Sequence, residues 1–69
     1  MDRSPVVSSN IRSIGYEAAE MLLEVEFLSG IYQYHLVPES VYLELMAAPS
    51  HGQYLARAIK GRYAYSKVA

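Results

Sequence analysis

The sequence contains no cysteine, and Asp2 is its only aspartate. Without cysteine there is neither a disulfide to staple the chain nor a thiol nucleophile. No run approaches the roughly 18 apolar residues of a membrane span, and the opening "MDRSPVVSSN" lacks the long apolar core of a secretion signal. A soluble cytoplasmic protein with no membrane partner is expected. Gly-rich phosphate loops and Gly-x-Ser-x-Gly elbows are missing as well. The two histidines, His35 and His51, fall in different predicted elements, and the glutamates are dispersed. That is no metal-ligand pattern, so no metal and no cofactor are expected, and the chain reads as a non-enzyme.

Acidic residues are also missing from one end. Residues 1–50 hold all seven acids against Arg3 and Arg12, whereas residues 51–69 hold Arg57, Lys60, Arg62 and Lys67 with no acid. The net charge is only −1, yet the body is acidic and the tail basic, a balance that points to an anionic partner. The competing reading is a short helix whose solvated face happens to be basic.

What is present in quantity is apolar. Sixty-nine residues make one domain near the lower limit for a self-sufficient core, and 52% of them are hydrophobic. Much of so small a body must stay wet, so self-association into a homo-oligomer is expected.

Residues 1–9 read as a flexible polar leader. "NIRSIGYEAAE" follows as a first strand with a bulge or bend at Gly15 and a turn near Glu17–Glu20. "MLLEVEFL" alternates with period two: Leu23, Val25 and Phe27 on one side, Glu24 and Glu26 on the other. After a Ser29–Gly30 turn, "IYQYHLV" resumes the alternation. A two-residue loop there sets Phe27 opposite Tyr32, Val25 opposite Tyr34 and Leu23 opposite Leu36. Glu24, Glu26, Gln33 and His35 then share the other face, with His35 beside Glu24 and the two glutamates solvated. Tyr32 and Tyr34 belong with the apolar set, because a one-residue slip would turn that set towards water. Whether they are core or an exposed platform is left to the structure.

At Pro38 the period changes. Pro38 suits the first helical position, with Glu39 beside it; Val41, Leu45 and Ala48, flanked by Tyr42, make a helical stripe that Pro49 ends. Ser50-x-x-Gln53 has capping-box spacing for a second helix, whose apolar side is Tyr54, Leu55, Ala58 and Ile59 and whose C-terminal cap is Gly61. "RYAYSKVA" reads as a short extended tail. The expected fold is α+β: a three-stranded antiparallel β-meander followed by two short helices packed on one face.

The ordered stretches "SSNIRSIGYE", "LEVEF", "SGIYQYHLVPESVY" and "AAPSHGQYLARAIKGRY" together resemble the KTSC domain. This domain takes its name from the C-terminus of some lysyl-tRNA synthetases and occurs alone in bacteria and their phages. The resemblance runs from Ser8 to about Tyr65. Family members often carry Phe-Asn in the second helix where this chain has Leu55-Ala56-Arg57. The resemblance implies no catalytic residues, and RNA or tRNA as the ligand.

The residues themselves allow three classes of partner. Phosphates need Lys or Arg, and unpaired bases need exposed rings or Arg planes. Glu24 and Glu26 would repel phosphates from the sheet face. Arg57, Lys60 and Arg62 are the candidate phosphate ligands, with Tyr54 and Tyr63 for stacking and the hydroxyls of Tyr32 and Tyr34 wherever they reach a rim. A small nucleotide signal, sequestered by an oligomer in the manner of a phage anti-defence protein, is the second class. A protein-interaction module is the third.

Overall fold

A computed structural model describes residues 1–69. Strands β1 (Ser4–Pro5), β2 (Ile11–Glu17), β3 (Leu22–Phe27) and β4 (Gly30–Tyr34) precede helices α1 (Glu39–Ala47) and α2 (His51–Ala58); strand β5 (Tyr65–Lys67) closes the chain. All neighbours in the sheet are antiparallel, and the spatial order is the chain order from β1 to β5. The alternation along β2–β4 turns Ile11, Ile14, Leu23, Val25 and Tyr34 to one face. Leu45 of α1, Leu55 of α2 and Ile59 just beyond it cover them and complete the core with Val37.

The α+β class and the two helices on one face are as expected, but the sheet has five strands and not three. Both additions are short edge strands at places the sequence assigns to leader and tail. Ser4–Pro5 pairs with Ile14 and Ser13 of β2, and Tyr65–Lys67 pairs with Tyr34, Gln33 and Tyr32 of β4. Two or three residues are too few for period-two alternation to register, so pairing alone makes them strands. Pro5 on one edge and Lys67 on the other blunt both edges against further strand addition.

The β3–β4 hairpin is displaced by two residues from its expected register. Its loop is Leu28–Ser29; Phe27 pairs with Gly30, Val25 with Tyr32 and Leu23 with Tyr34. A slip of two preserves every face, which is why the tyrosines still point inward. Gly30 permits the tight start of β4. Its φ is +150°, and a Cβ there would lie 2.5 Å from the Ala69 carbonyl oxygen, where the end of the chain closes over the hairpin.

The displacement decides the fate of Leu36. It is not opposite Leu23; a φ of +57° ends the strand's alternation and leaves Leu36 71% exposed, while Val37 enters the core. Val37 is fixed there from both sides: its N–H donates to the Met21 carbonyl at 2.8 Å, and its own carbonyl accepts from the Tyr16 hydroxyl at 2.5 Å. The bulge expected at Gly15 lies instead between Ile11 and Ser13, with Arg12 as the extra residue. Gly15 pairs regularly opposite Glu24, and its bare Cα allows the Asp2 backbone to pass, because a Cβ would meet the Asp2 carbonyl oxygen at 2.6 Å.

Pro38 is the N-cap of α1 rather than its first helical residue. Ser50 caps α2 as its spacing requires, accepting the Gln53 N–H at 3.2 Å, and Gly61 follows the helix with φ +78°. Ser50→Ala should therefore destabilise the domain by about 1 kcal/mol, read as a lower urea midpoint at unchanged slope.

Candidate functional site

The two faces of the sheet differ in chemistry. Away from the helices, Ser13, Glu24, Glu26 and Gln33 are joined by hydrogen bonds, and the N-terminal segment brings Arg3 across them. Arg3 Nη1 pairs with Glu24, Arg3 Nε donates to Ser13 Oγ at 2.9 Å, Ser13 Oγ donates to Glu26 at 2.9 Å, and Gln33 Nε2 donates to Glu24 at 2.9 Å. Glu24 is 8% exposed, so it is not the solvated acid expected. The Gln33 hydrogen bond and the Arg3 guanidinium hold its carboxyl below the usual range against the opposing effect of burial. His35 does not join Glu24; its Nε2 lies 3.2 Å from Ser66 Oγ on β5. One cation, Arg3, stands here against two carboxylates, so this face offers nothing to an anion.

The basic C-terminal segment is different. Its four cations make no ion pair, all ion pairs in the molecule being those of Arg3. They do not gather at one spot. Arg57 lies over the Tyr54 ring, 5.9 Å from its centroid, and its carbonyl accepts from Arg62 Nε at 3.3 Å. That places Arg57, Arg62 and Tyr54 together at the outer side of α2. Tyr54 Oη donates to Glu44 at 2.6 Å, a bond that, with burial, pushes the phenol above its ordinary pKa. An acid therefore borders this patch. Tyr63 is half-buried against the core.

Lys60 turns the other way. Its Nζ lies over Phe27, 5.4 Å from the ring centroid, at the mouth of an open groove of about 620 Å³ between the hairpin loop, the end of α2 and the β4–β5 pair. Phe27 and Tyr32 meet edge to face at 5.5 Å. Tyr65 leans over both Tyr32 and Tyr34 at 5.8 Å, its ring tilted by about 40–45° to theirs. Tyr34 is core and forms the floor, where burial raises its pKa; Tyr32 is half-buried on the wall; Tyr65 is 62% exposed.

Six of the seven candidates from the sequence thus divide into two groups, Arg57, Arg62 and Tyr54 at one site and Lys60, Tyr32 and Tyr34 at the other, while Tyr63 packs against the core outside the groove. The groove's remaining aromatic residues, Phe27 and Tyr65, were not among them. The alternation Tyr63-Ala64-Tyr65-Ser66-Lys67 carried a weak signal for Tyr65, since it puts Tyr65 and Lys67 on one face of a strand.

The KTSC domain model matches residues 7–63. The chain belongs to the KTSC domain family. A crystal structure of a KTSC domain protein from Yersinia pestis superposes with a TM-score of 0.96 at 40% identity, covering 99% of this chain and 97% of that one. An uncharacterized protein of Stutzerimonas stutzeri is 39% identical over 64 residues, 91% of this chain and 90% of its own. A lysine–tRNA ligase of Trichormus variabilis is 42% identical over 62 residues, which are 88% of this chain but 11% of the ligase. The KTSC fold therefore exists both as a small protein and as a minor part of a large one. In this KTSC domain Leu55 is core, while Ala56 and Arg57 are exposed on α2. No helix is long and apolar enough to cross a membrane, and no three His, Asp or Glu side chains converge as metal ligands.

Proposed function

We propose that this KTSC domain is a non-catalytic cytoplasmic module that binds a phosphate-bearing ligand, RNA or tRNA, through Arg57, Lys60 and Arg62. The carrying observation is that these cations are exposed and free of ion pairs beside partly exposed aromatic rings. An unpaired guanidinium or ammonium remains available to phosphate, whereas Arg3 is consumed by Glu24. The relatives named as lysine–tRNA ligases support an RNA setting. Three contacts give modest affinity, so assembly into a homo-oligomer would strengthen binding by repeating the patch. Leu36 and Leu43, 71% and 56% exposed, are apolar surface that such assembly could cover.

Binding of a single-stranded ribo-oligonucleotide should fall with salt, with a slope of log K against log salt of about −2 for three phosphate contacts. Arg57→Ala with Arg62→Ala should reduce that slope to roughly −0.7 without unfolding the domain. A flat response in the unaltered protein would reject phosphate-driven binding. One observation favours a second reading, a free small nucleotide of the kind a phage anti-defence protein sequesters: the groove volume suits one nucleotide rather than a strand. Such a ligand would raise the melting temperature with a defined nucleotide and leave it unchanged with long RNA. A protein-interaction module would show neither response.

A further inference from the structure

We infer that the groove bounded by Phe27, Tyr32, Tyr65 and Lys60 is a receptor for one unpaired nucleobase, with Lys60 placed for its phosphate. The inference rests on the phosphate-binding reading above and adds to it a second, base-directed contact at a different place from Arg57 and Arg62. The lining is the first ground. It includes four aromatic rings and one cation, and no carboxylate, in a molecule with seven acids. A flat, electron-poor or neutral ring carrying an anion is the chemistry that such a lining accepts.

Tyr65 is the second ground. It stands on an edge strand and is 62% exposed, so part of its ring is open to a ligand. Its ring is tilted by about 45° to Tyr32 with centroids 5.8 Å apart, an aromatic contact that braces Tyr65 on one side and leaves the rest of the ring to solvent. Lys60 is the third. Its ammonium sits over Phe27 and has no acid to pair with, and Gly61 beside it has no side chain to close the mouth; a Cβ there would meet no atom within 4 Å. Ser29 and Asn10 supply neutral polar groups at the rim. Asn10 Oδ1 accepts from the Ser8 hydroxyl at 3.2 Å, which leaves its amide N–H groups free to donate to a base edge.

The test uses the full chain and three probes: a five-nucleotide single-stranded RNA, the same oligomer with abasic positions, and free nucleoside 5′-monophosphates. Tyr65→Ala should weaken the RNA complex by about tenfold, as loss of one base–aromatic stack does. Tyr65→Phe should restore it, because only the ring face is used. The abasic oligomer should bind the unaltered protein as weakly as RNA binds Tyr65→Ala, and should be indifferent to that substitution. Lys60→Ala should lower the salt slope by about 0.7 on single strands. Monophosphates that compete at concentrations comparable to the oligomer identify a free nucleotide as the source of the base; monophosphates that fail to compete identify an RNA strand. Folding is monitored by circular dichroism on each variant. If RNA binds in a salt-dependent manner yet Tyr65→Ala and the abasic probe bind at full strength, the base receptor is refuted and the phosphate-binding module stands. If no phosphate-bearing probe binds, both readings fall.

Discussion

Tyr34→Ala is expected to cost about 3–5 kcal/mol, the range for deleting a buried aromatic ring. Tyr34 is 3% exposed and lies between Leu23 on β3 and Tyr65 on β5, on the face covered by the helices. A chain of 69 residues has a total stability of about 3–10 kcal/mol. The substitution therefore removes a large share of it, and at the bottom of that range it unfolds the domain outright. The hydroxyl contributes little: it makes no hydrogen bond within the protein and opens onto the groove floor. Tyr34→Phe should accordingly remain within about 1.5 kcal/mol of the parent, as volume-conserving changes do. Urea unfolding followed by circular dichroism separates the two variants. An alanine variant with a midpoint near the parent's would mean that the ring is surface, and the core assignment of β4 would fail.

The second large effect is expected at Arg3, in a segment that the sequence alone would discard. Arg3→Ala leaves Glu24, 8% exposed, without its cation, and should cost about 1.5–3 kcal/mol, the range for hydrogen bonds to a charged group. The pH dependence gives the signature. The Gln33 hydrogen bond and the Arg3 guanidinium lower the folded pKa of Glu24 below its unfolded value. A lowered pKa stabilises the fold fully above the ordinary glutamate value of about 4.3, and that stability is lost as pH falls through the depressed folded value. The difference between parent and Arg3→Ala should thus be largest at neutral pH and shrink below about pH 4. A difference that persists undiminished into acid would mean that Arg3 acts by packing its methylenes over Gly15, near which its Cγ lies, and not by charge.

How far the sequence leads is clearest at particular residues. Leu23, Val25 and Phe27 alternate with two glutamates, and that pattern could be satisfied only by a sheet with one covered face; Tyr32 and Tyr34 had to join the same face to avoid an apolar surface in water. Ser50 and Gly61 announced the limits of the second helix. The register of the hairpin was less determined, since a shift of two residues keeps every side chain on its face and costs the pattern nothing. The register adopted is one in which Ala69 closes over Gly30, a contact between residues 39 apart in the chain that no local pattern announces.

The candidate site was half legible. That positive charge concentrates in the C-terminal segment follows from composition, because residues 51–69 contain no acid; that these cations stay clear of the glutamates elsewhere in the chain is visible only in the fold. That they divide into an Arg57–Arg62 patch and a separate Lys60 groove does not follow from composition either, because Ile59 and Gly61 set the direction in which Lys60 leaves the helix, and only the packed hairpin puts Phe27 beneath it.

The amino-acid order by itself determined the layers of this KTSC domain: the three central strands and the two helices, which face of each is apolar, and which end of the chain carries the excess positive charge. Periodicity and capping are local, acting over at most a few residues, so they can be read in one dimension. The tertiary structure alone decided the two edge strands, the burial of Glu24 under Arg3, and the meeting of Tyr65, Tyr32, Phe27 and Lys60 in one groove. Each of these joins segments distant in sequence, and the free energy that holds them comes from pairing and burial that exist only after the chain has folded.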